Sequence, residues 1–242
     1  MARRCFIGTA GWSLSSATRS AFPDAGSQLE RYAARFDCVE INSSFYRPHR
    51  VQTYARWAAS VPQGFRFAVK APRAITHEAR PRDAREPLAA FVDQISALGP
   101  ALGPMLIQFP PSLRFEIAVA DAFLHDLRAR FSGDVVWEPR HLSWFDPAVE
   151  TLLADHRIAR VAADPARCPA AAEPGGWRGF AYWRLHGSPR MYYSAYGEDQ
   201  LSALSETLAP DDWCVFDNTA AGAAVEDALR LQSLLKPRAD PG

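Results

Sequence analysis

The sequence predicts an α/β protein of the (β/α)8 TIM-barrel type, and three observations lead to this fold class. Short apolar segments with strand character recur eight times along the chain at rather even intervals. Helical patterns, with apolar residues three and four positions apart, lie between most of them. Units of about 30 residues that alternate strand and helix imply parallel strands, and eight such units suit a barrel. A doubly wound open sheet is the alternative.

The predicted strands are short apolar runs. In chain order they cover 5–9, 38–42, 65–70, 104–109, 134–138, 158–163, 180–186 and 213–217. Helical spacing is clearest in four segments between or after these strands, which cover 29–36, 88–98, 123–131 and 225–234.

The unit after the sixth strand breaks this alternation. Residues 164–179 contain three prolines and three glycines, a density that does not support a full helix. We therefore expect a loop in place of the helix at this point. No change in composition marks a linker, so residues 1–242 are predicted to form a single barrel domain.

Composition excludes several classes of protein. The 27 basic residues balance 27 acidic ones, so bulk charge gives no support to nonspecific binding of nucleic acid or membranes. The four cysteines are widely spaced without a Cys-x-x-Cys pair, which argues against a zinc ribbon and suggests buried thiols. The sequence has neither a signal-peptide pattern at its start nor a run of about 18 apolar residues. We therefore expect a cytoplasmic protein.

The common catalytic and nucleotide-binding motifs are also missing. The sequence has no Gly-x-Ser-x-Gly elbow, no phosphate-binding loop that ends in Lys-Ser/Thr and no Gly-x-Gly-x-x-Gly after a strand. His77-Glu78 lacks the second histidine of a zinc-protease helix. Nicotinamide, ATP and serine-hydrolase chemistry therefore have little support.

The informative signal is polar residues inside strands that should be apolar on both faces. Alternation along the second strand places Glu40 and Asn42 on one face, and along the seventh it places Arg184 and His186 together. Other polar residues fall at or just beyond strand ends: Lys70, Gln108, Glu138, Arg140, Asp164, Asp217 and Asn218. The carboxyl ends of barrel strands converge on the face that carries active sites. The alternative is a purely structural network of buried ion pairs.

The loops beyond the strands add cations and aromatic rings. Segment 71–86 contains Arg73, Arg80, Arg82 and Arg85, and Trp12 and Tyr46 follow strand ends. Arginine near aromatic rings suits an anionic ligand with a flat or ring-shaped part, although solvated surface residues give the same pattern. The chain has 25 arginines but only two lysines, Lys70 and Lys236, so lysine at a strand end suggests that a compact ammonium is required there.

Seven blocks of sequence, in order from about residue 5 to residue 220, resemble the YecE-like proteins, the family called domain of unknown function 72. The blocks are Ile-Gly-Thr-Ala-Gly-Trp (7–12), Val-Glu-Ile-Asn-Ser-Ser-Phe-Tyr (39–46), Phe-Ala-Val-Lys (67–70), Gln-Phe-Pro-Pro-Ser (108–112), Glu-Pro-Arg (138–140) with Ser-Trp (143–144), Tyr-Trp-Arg-Leu-His-Gly (182–187) and Phe-Asp-Asn (216–218). The resemblance implies a (β/α)8-type barrel. It implies no established activity and supplies no metal or cofactor.

These residues lead us to expect an enzyme that performs acid–base chemistry on a small anionic, carbohydrate-like or phosphorylated substrate. Glu138 is the expected general acid or base with His186 as its proton partner. Lys70, Arg140 and Arg184 are expected to hold the anion.

The remaining candidates complete this expected site. Glu40 and Lys70 join the catalytic set, and Trp12 and Tyr46 are expected to pack on a ring of the substrate. Further binding contacts are expected from Asn42, Gln108, Asp164, Asp217 and Asn218.

Three alternatives remain open at this point. One is a nucleic-acid-binding or phosphodiester-cleaving protein, which zero net charge does not favour. Another is a metal-dependent isomerase, with oxygen and nitrogen ligands from Glu40, Glu138, Asp164, His186 and Asp217. The last is a binding module without catalysis. The sequence assigns neither a cofactor nor an oligomeric state.

Overall fold

The strands of the computed structural model, which describes residues 5–79 and 81–235, follow the predicted pattern closely. They are β1 (Phe6–Thr9), β2 (Cys38–Ile41), β3 (Arg66–Lys70), β4 (Leu102–Gln108), β5 (Val135–Glu138), β6 (Ile158–Arg160), β7 (Ala162–Asp164), β8 (Gly175–Gly176), β9 (Tyr182–Leu185) and β10 (Trp213–Phe216). The sixth predicted strand is split into β6 and β7, and β8 was not predicted. Arg80 and Lys236 lie outside the described residues.

Helices separate most of the strands. They are α1 (Gln28–Ala33), α2 (Val51–Ala59), α3 (Arg85–Ile95), α4 (Ile117–Arg130), α5 (Pro147–Asp155), α6 (Glu198–Thr207) and α7 (Ala223–Leu235). The four helical segments expected from spacing correspond to α1, α3, α4 and α7. Local capping explains where two of the helices start: Ser27 and Glu30 form a capping box at α1, and Asp146 caps α5 ahead of Pro147.

The loop expected after the sixth strand is confirmed. Between β7 and β9 the described chain contains a short 3-10 turn at Pro169–Ala172 and the two-residue strand β8, and no α-helix. Prolines at this density leave too few backbone N–H donors for a longer helix.

Two sheets contain the strands. One has the order β1-β10-β9-β7, and the other has the order β2-β3-β4-β5-β6-β8. All pairs are parallel except β6 with β8, so the prediction of a parallel α/β fold is confirmed. The strand pairing does not form the expected single closed sheet of a barrel. The two sheets are separated at two places, here called seams, and each seam has a physical cause.

The first seam lies within the run 158–164. Its first half, β6, pairs with β5 and, on its other edge, with the antiparallel strand β8. Its second half, β7, pairs with β9 in the other sheet. Because β8 occupies the edge of β6, the chain reaches β9 only from Ala162 onwards.

The second seam lies between β1 and β2, which meet through one bridge, Ala10 with Glu40. Beside it, the buried hydroxyl of Tyr32 accepts a hydrogen bond from the Thr9 backbone N–H (2.9 Å) and donates one to the Cys38 carbonyl (3.1 Å). A side chain from α1 therefore takes the place of ladder hydrogen bonds between these two strands.

Two apolar clusters fill the interior. The larger one contains helix residues and one face of the strands, such as Val39 and Ile41 of β2. The smaller one contains strand residues of the opposite face: Cys38, Ala68, Leu106, Val136, Ala159, Val161, Tyr182, Trp213 and Val215. Since side chains alternate along a strand, the residue two positions after a member of this smaller cluster points the same way. Six of those residues are Glu40, Lys70, Gln108, Glu138, Arg184 and Asp217, and all six are buried.

Two further expectations concern the described residues only. Within them, no helix is long and apolar enough to span a membrane. All four cysteines are free; Cys38 and Cys214 are buried as expected, whereas Cys5 and Cys168 are only half-buried.

Candidate active site

Arg184 of β9 stands at the centre of the polar cluster at the carboxyl ends of the strands. Its Nη2 and Nε donate to the two oxygens of Glu40 (2.8 and 3.1 Å), its Nη1 donates to Glu138 Oε2 (3.1 Å), and Nη2 lies 2.9 Å from Asp217 Oδ2. The side chain is fully buried. Although burial opposes the charge, Asp217, Glu40 and Glu138 raise the pKa of Arg184 well above its ordinary value.

Glu40 is equally enclosed, and its carboxylate also accepts a hydrogen bond from Tyr182 Oη (3.0 Å). Burial and the neighbouring charge of Glu40 raise the pKa of Tyr182 well above its ordinary value, so this phenol stays protonated and keeps donating. Glu40 and Arg184 therefore hold each other and contact no solvent. Both side chains are therefore held in place by their own ion pair.

Glu138 of β5 is a hub for hydrogen bonds. Oε2 accepts from Gln108 (2.7 Å) and Arg184, and Oε1 accepts from two nitrogens of Arg140 (3.1 and 3.2 Å). Burial alone raises the pKa of Glu138, but the charges of Arg184, His186 and Arg140 overcome it and hold this pKa well below the usual range. Glu138 is therefore an ionised carboxylate with little tendency to take up a proton.

His186, just beyond β9, lies between two carboxylates. Its Nε2 is 3.0 Å from Glu138 Oε1, and its Nδ1 is 3.0 Å from Asp217 Oδ2. Burial raises the pKa of Asp217, but Arg184 and the hydrogen bond to His186 outweigh it and lower the pKa. Both ring nitrogens can donate to these acceptors only when the imidazole is protonated. Glu138, His186 and Asp217 thus form a hydrogen-bonded chain with the imidazole in the middle.

Lys70 of β3 differs from the other cations of the cluster. It is buried, and its Nζ lies 4.5 Å from the centre of the Phe45 ring. Among residues 5–79 and 81–235, no carboxylate oxygen lies within 4.0 Å of it. Burial and the positive charge of Arg184 lower the pKa of Lys70 to about 8, despite Glu40, Glu138 and Asp217. This amine is ready to lose or gain a proton close to neutral pH.

Arg140 and His77 mark the accessible side of the cluster. A narrow cleft of about 20 Å³ is lined by Glu138, Arg140, His186, Phe145, Arg167 and Met191, among others. Lys70 lies outside this lining, over Phe45, and His77 contacts the same ring at 5.0 Å. Burial together with the charges of Lys70, Arg73 and Arg140 lowers the pKa of His77. Three cations therefore act on His77, and the carboxylate of Glu78, which pairs with Arg73 (2.9 Å), partly offsets them.

Other expected binding residues lie apart from this cluster. Trp12 packs edge-on against Trp57 of α2, with ring centres 5.0 Å apart. Asn218 is buried and donates to Asp227 (2.7 Å) and to the Ser194 carbonyl (2.9 Å). Neither side chain reaches Glu138 or Lys70 through any described hydrogen bond.

Three further expected residues lie at or beyond strand ends: Asn42 and Tyr46 follow β2, and Asp164 ends β7. Tyr46 is 76% exposed and contacts Phe45 edge-on at 5.1 Å. Asn42 and Asp164 are half-buried, and each has one buried side-chain oxygen without a hydrogen-bond partner among the described residues. Such oxygens are open to a donor from a ligand.

Several residues of the site were not among the expected site residues. Phe45 ends the 3-10 turn Ser43–Phe45, and His77 lies in the π-helical turn Ala74–Glu78. Tyr192 lies 3.5 Å from Arg140 through its hydroxyl and meets His186 edge-on. Tyr192 has a positive φ of 70°, which is uncommon outside glycine. Tyr182 carries a signal in the sequence, because alternation places it on the same face as Arg184.

A metal at these strand ends meets a physical objection. The oxygens of Glu40, Glu138 and Asp217 already surround the guanidinium of Arg184, which occupies the place of a cation. In the described part of the chain, the one group of histidines and carboxylates with metal-ligand spacing lies elsewhere, at Asp121, His125 and His156. Of the donors proposed for a metal-dependent isomerase, Glu40, Glu138, His186 and Asp217 are therefore already paired, and Asp164 keeps one buried oxygen without a partner among the described residues.

Comparison with known proteins shows the family to which the chain belongs. The model of the family described as "Protein of unknown function DUF72" matches residues 6–241, nearly the whole chain. The chain belongs to the DUF72 family. The chain is also similar to UPF0759 protein YecE of Escherichia coli K12, at 32% identity over 118 residues, which is 48% of this chain and 43% of that protein. UPF0759 protein YunF of Bacillus subtilis is 28% identical over 153 residues, 59% of this chain and 52% of that protein.

The chain thus spans about half the length of the curated relatives it matches. Crystal structures of two DUF72 family proteins agree over far more of the chain. The protein from Thermotoga maritima has a TM-score of 0.77 at 25% identity and covers 96% of this chain and 98% of its own. The protein from Enterococcus faecalis has a TM-score of 0.78 at 21% identity and covers 98% and 97%. They support the same α/β fold, and DUF72 is a family without an assigned activity.

Proposed function

We propose that this DUF72 protein is an enzyme that performs acid–base chemistry on a small anionic substrate, carbohydrate-like or phosphorylated, at the carboxyl ends of its strands. The observation that carries the proposal is Lys70. A buried amine with a pKa of about 8 and no carboxylate within 4.0 Å among the described residues costs folding energy. A cation held in this way is suited to binding an anion and exchanging a proton with it.

The charges around the cluster support this assignment. Glu40, Glu138 and Asp217 carry three negative charges, and Arg184, Arg140 and Lys70 carry three positive charges when Lys70 is protonated. Arg184 and Arg140 contact these carboxylates directly, whereas Lys70 has no carboxylate oxygen within 4.0 Å among the described residues and keeps its charge available for a ligand. An anion near His77 would sit in the field of Lys70 and Arg140. In the proposal, these two residues bind the substrate.

Roles for the other residues follow from their contacts. Lys70 is the proton donor or acceptor that meets the substrate. Glu138 and Asp217 fix the ring of His186, which lines the cleft and relays protons. Glu138 accepts too many hydrogen bonds, at too low a pKa, to be the primary base. The exposed ring of Tyr46, beside Phe45, supplies an apolar surface for a substrate ring.

We also infer that residues 1–242 form one barrel-type domain in which both sheets contribute strand ends to the polar cluster. The continuous run from β6 to β7 supports this inference at one seam, and the Ala10–Glu40 bridge supports it at the other. A barrel-type arrangement brings the polar strand ends to one face.

Anion binding tests the function directly. Calorimetry with inorganic phosphate and a panel of phosphorylated sugars would compare the wild type with Lys70→Arg and Lys70→Met. Arg85→Met is the matched control, because Arg85 is exposed and ion-paired only with Asp126 among the described residues. We expect binding by the wild type and the control, and loss of binding in both Lys70 variants although they fold.

Two outcomes would contradict the proposal. Lys70→Arg that binds like the wild type would show that charge alone is needed at position 70. Tighter binding of short oligonucleotides than of any sugar phosphate, with affinity that falls steeply with salt, would favour the nucleic-acid alternative.

A further inference from the structure

A second group of chemically active side chains lies on the outer helices and shares no residue with the strand-end cluster. Asp121 and His125 stand one turn apart on α4, and His156 follows the last residue of α5. One carboxylate oxygen and one nitrogen from each histidine lie within 4.8 Å of one another. We propose that these three side chains form a binding site for a divalent transition metal ion, with Zn²⁺ as the best match.

The spacing of the donor atoms supports this site. Asp121 Oδ1 lies 3.1 Å from His156 Nε2 and 3.4 Å from His125 Nδ1. Ligand bonds of about 2.0–2.1 Å to a tetrahedral Zn²⁺ place neighbouring donor atoms about 3.3 Å apart. Two edges of the coordination tetrahedron thus already have the required length. The third edge, between the two histidine nitrogens, is at most 4.8 Å long. His125 Nδ1 also donates to the Asp121 backbone carbonyl (2.9 Å), and a bound metal ion takes the place of that hydrogen bond.

The backbone that carries His156 is fixed to the helix that carries the other two donors. Arg128 of α4 donates from Nε to the His156 carbonyl (2.7 Å), from Nη2 to the Arg157 carbonyl (2.7 Å) and from Nη1 to the Gly133 carbonyl (2.7 Å). Arg157 turns the chain out of α5 with a φ of 55°. Because these contacts form without a ligand, little ordering is needed when a metal binds.

The donor types and their exposure determine which ions suit the site. Two imidazoles and a carboxylate favour Zn²⁺, Ni²⁺, Cu²⁺ or Co²⁺, whereas Mg²⁺ and Ca²⁺ prefer shells of oxygen. His156 is 15% exposed, Asp121 44% and His125 69%. Three protein ligands at a partly open surface leave the fourth position of a tetrahedral ion to water or to a donor from another molecule.

Titration of the full chain with ZnCl₂, followed by calorimetry, tests the site, and Co²⁺ serves as a spectroscopic probe of four-coordinate geometry in the visible region. The test variants are Asp121→Asn and His156→Ala. Asp126→Asn is the matched control, because Asp126 is a carboxylate on the same helix that pairs with Arg85 and offers no ligand to the group. We expect one Zn²⁺ per wild-type chain, affinity lost by at least about 100-fold in each test variant, and no change in the control.

Binding of Zn²⁺ by the wild type does not by itself locate the ion; loss of affinity in the test variants assigns it to this site. If His156→Ala disturbs the end of α5, the exposed His125→Ala removes a ligand without removing buried packing and gives the same comparison. Absence of Zn²⁺ binding by the wild type would overturn the proposal. So would binding that persists at unchanged stoichiometry and affinity in the test variants, because the ion would then lie elsewhere, such as at the half-buried thiols of Cys5 and Cys168.

Discussion

Replacing Arg184 with Met removes the guanidinium that contacts Glu40, Glu138 and Asp217 and leaves three buried carboxylates facing one another. Met has a similar length and no charge, so the change isolates electrostatics from volume. Breaking a buried ion pair by removing one partner costs about 3–5 kcal/mol. Because this guanidinium serves three carboxylates, we expect the free energy of unfolding at pH 7 to fall by at least that amount.

For a chain of this length, such a loss lowers the melting temperature by roughly 6–20 °C. Differential scanning calorimetry or urea unfolding measures it. Arg66→Met is the matched control, because Arg66 lies on β3, is half-buried and makes its described side-chain hydrogen bond only to the Phe65 carbonyl. We expect the control to lose less than about 1 kcal/mol.

The pH dependence separates this electrostatic cost from a packing defect. In the wild type, the pKa values of Glu138 and Asp217 are lowered by folding, so their stabilisation is present above the ordinary carboxyl range, about pH 4, and is lost as pH falls through the folded pKa values. Without Arg184, burial raises those pKa values instead. The variant then gains stability relative to the wild type as its carboxyls become protonated on acidification.

We therefore expect the deficit of Arg184→Met to shrink between pH 7 and pH 5. Adding Glu40→Gln to Arg184→Met removes one of the uncompensated charges, and we expect it to restore about 1–3 kcal/mol. A deficit that is independent of pH, and that Glu40→Gln enlarges, would refute the electrostatic reasoning and indicate lost packing.

Three further predictions concern other parts of the molecule. Glu138→Gln should still fold, with a melting temperature lower by up to about 20 °C because it breaks buried ion pairs, and should lose about 10²–10⁴-fold in any activity found; a folded variant that keeps full activity would make Glu138 purely structural. Lys70→Met should be at least as stable as the wild type at pH 7. Because folding lowers the pKa of Lys70, the unfolded wild type binds more protons between pH 8 and pH 10.5, and its free energy of unfolding should rise by roughly 2–3 kcal/mol over that range. The Met variant should lack this rise, and a Met variant that is simply unstable would contradict the reasoning. Gly8→Ala should cost about 3 kcal/mol or more in urea unfolding, since its Cβ would lie 2.3 Å from the Cys38 carbonyl oxygen. Gly197→Ala meets only a 3.5 Å contact and should cost about 1 kcal/mol, the ordinary cost of alanine at the N-cap of α6; equal effects would show that β1 can move away.

Much of the fold was predictable because it depends on local periodicity. Alternation along the strands identified one face of β2 and β9, and the structure brings Glu40, Arg184 and His186 together on it. The loop after β7 was predictable from its prolines. These features require only the geometry of a strand and the lack of an N–H in proline.

The two seams between the sheets were not predictable in the same way. The seam at β6 depends on Gly175 and Gly176 returning from the loop to cover its edge, and the seam at β1 depends on where the hydroxyl of Tyr32 falls. Both are contacts between residues far apart in sequence or on different elements, which periodicity does not specify.

The partners within the site were hidden from the sequence for a related reason. Periodicity indicated that Glu138, Asp217 and Arg184 point inward, but not that Arg184 contacts both carboxylates while Lys70 contacts neither within 4.0 Å. The difference depends on side-chain length and on the position of Phe45, which ends a 3-10 turn after β2. For this reason we propose Lys70, rather than Glu138, as the group that exchanges a proton with the substrate.

The most direct test of the account is the protonation of Lys70, measured by NMR of the chain labelled with ¹³C at the lysine Cε carbons. The sequence has only two lysines, so Lys236→Arg leaves a single signal and assigns it without ambiguity. We expect that signal to titrate with a pKa of about 8 and to shift upward when inorganic phosphate or a phosphorylated sugar binds, because an anion stabilises the charged amine. Titration at the ordinary lysine value of about 10.4, unmoved by every anion tested, would contradict the central claim.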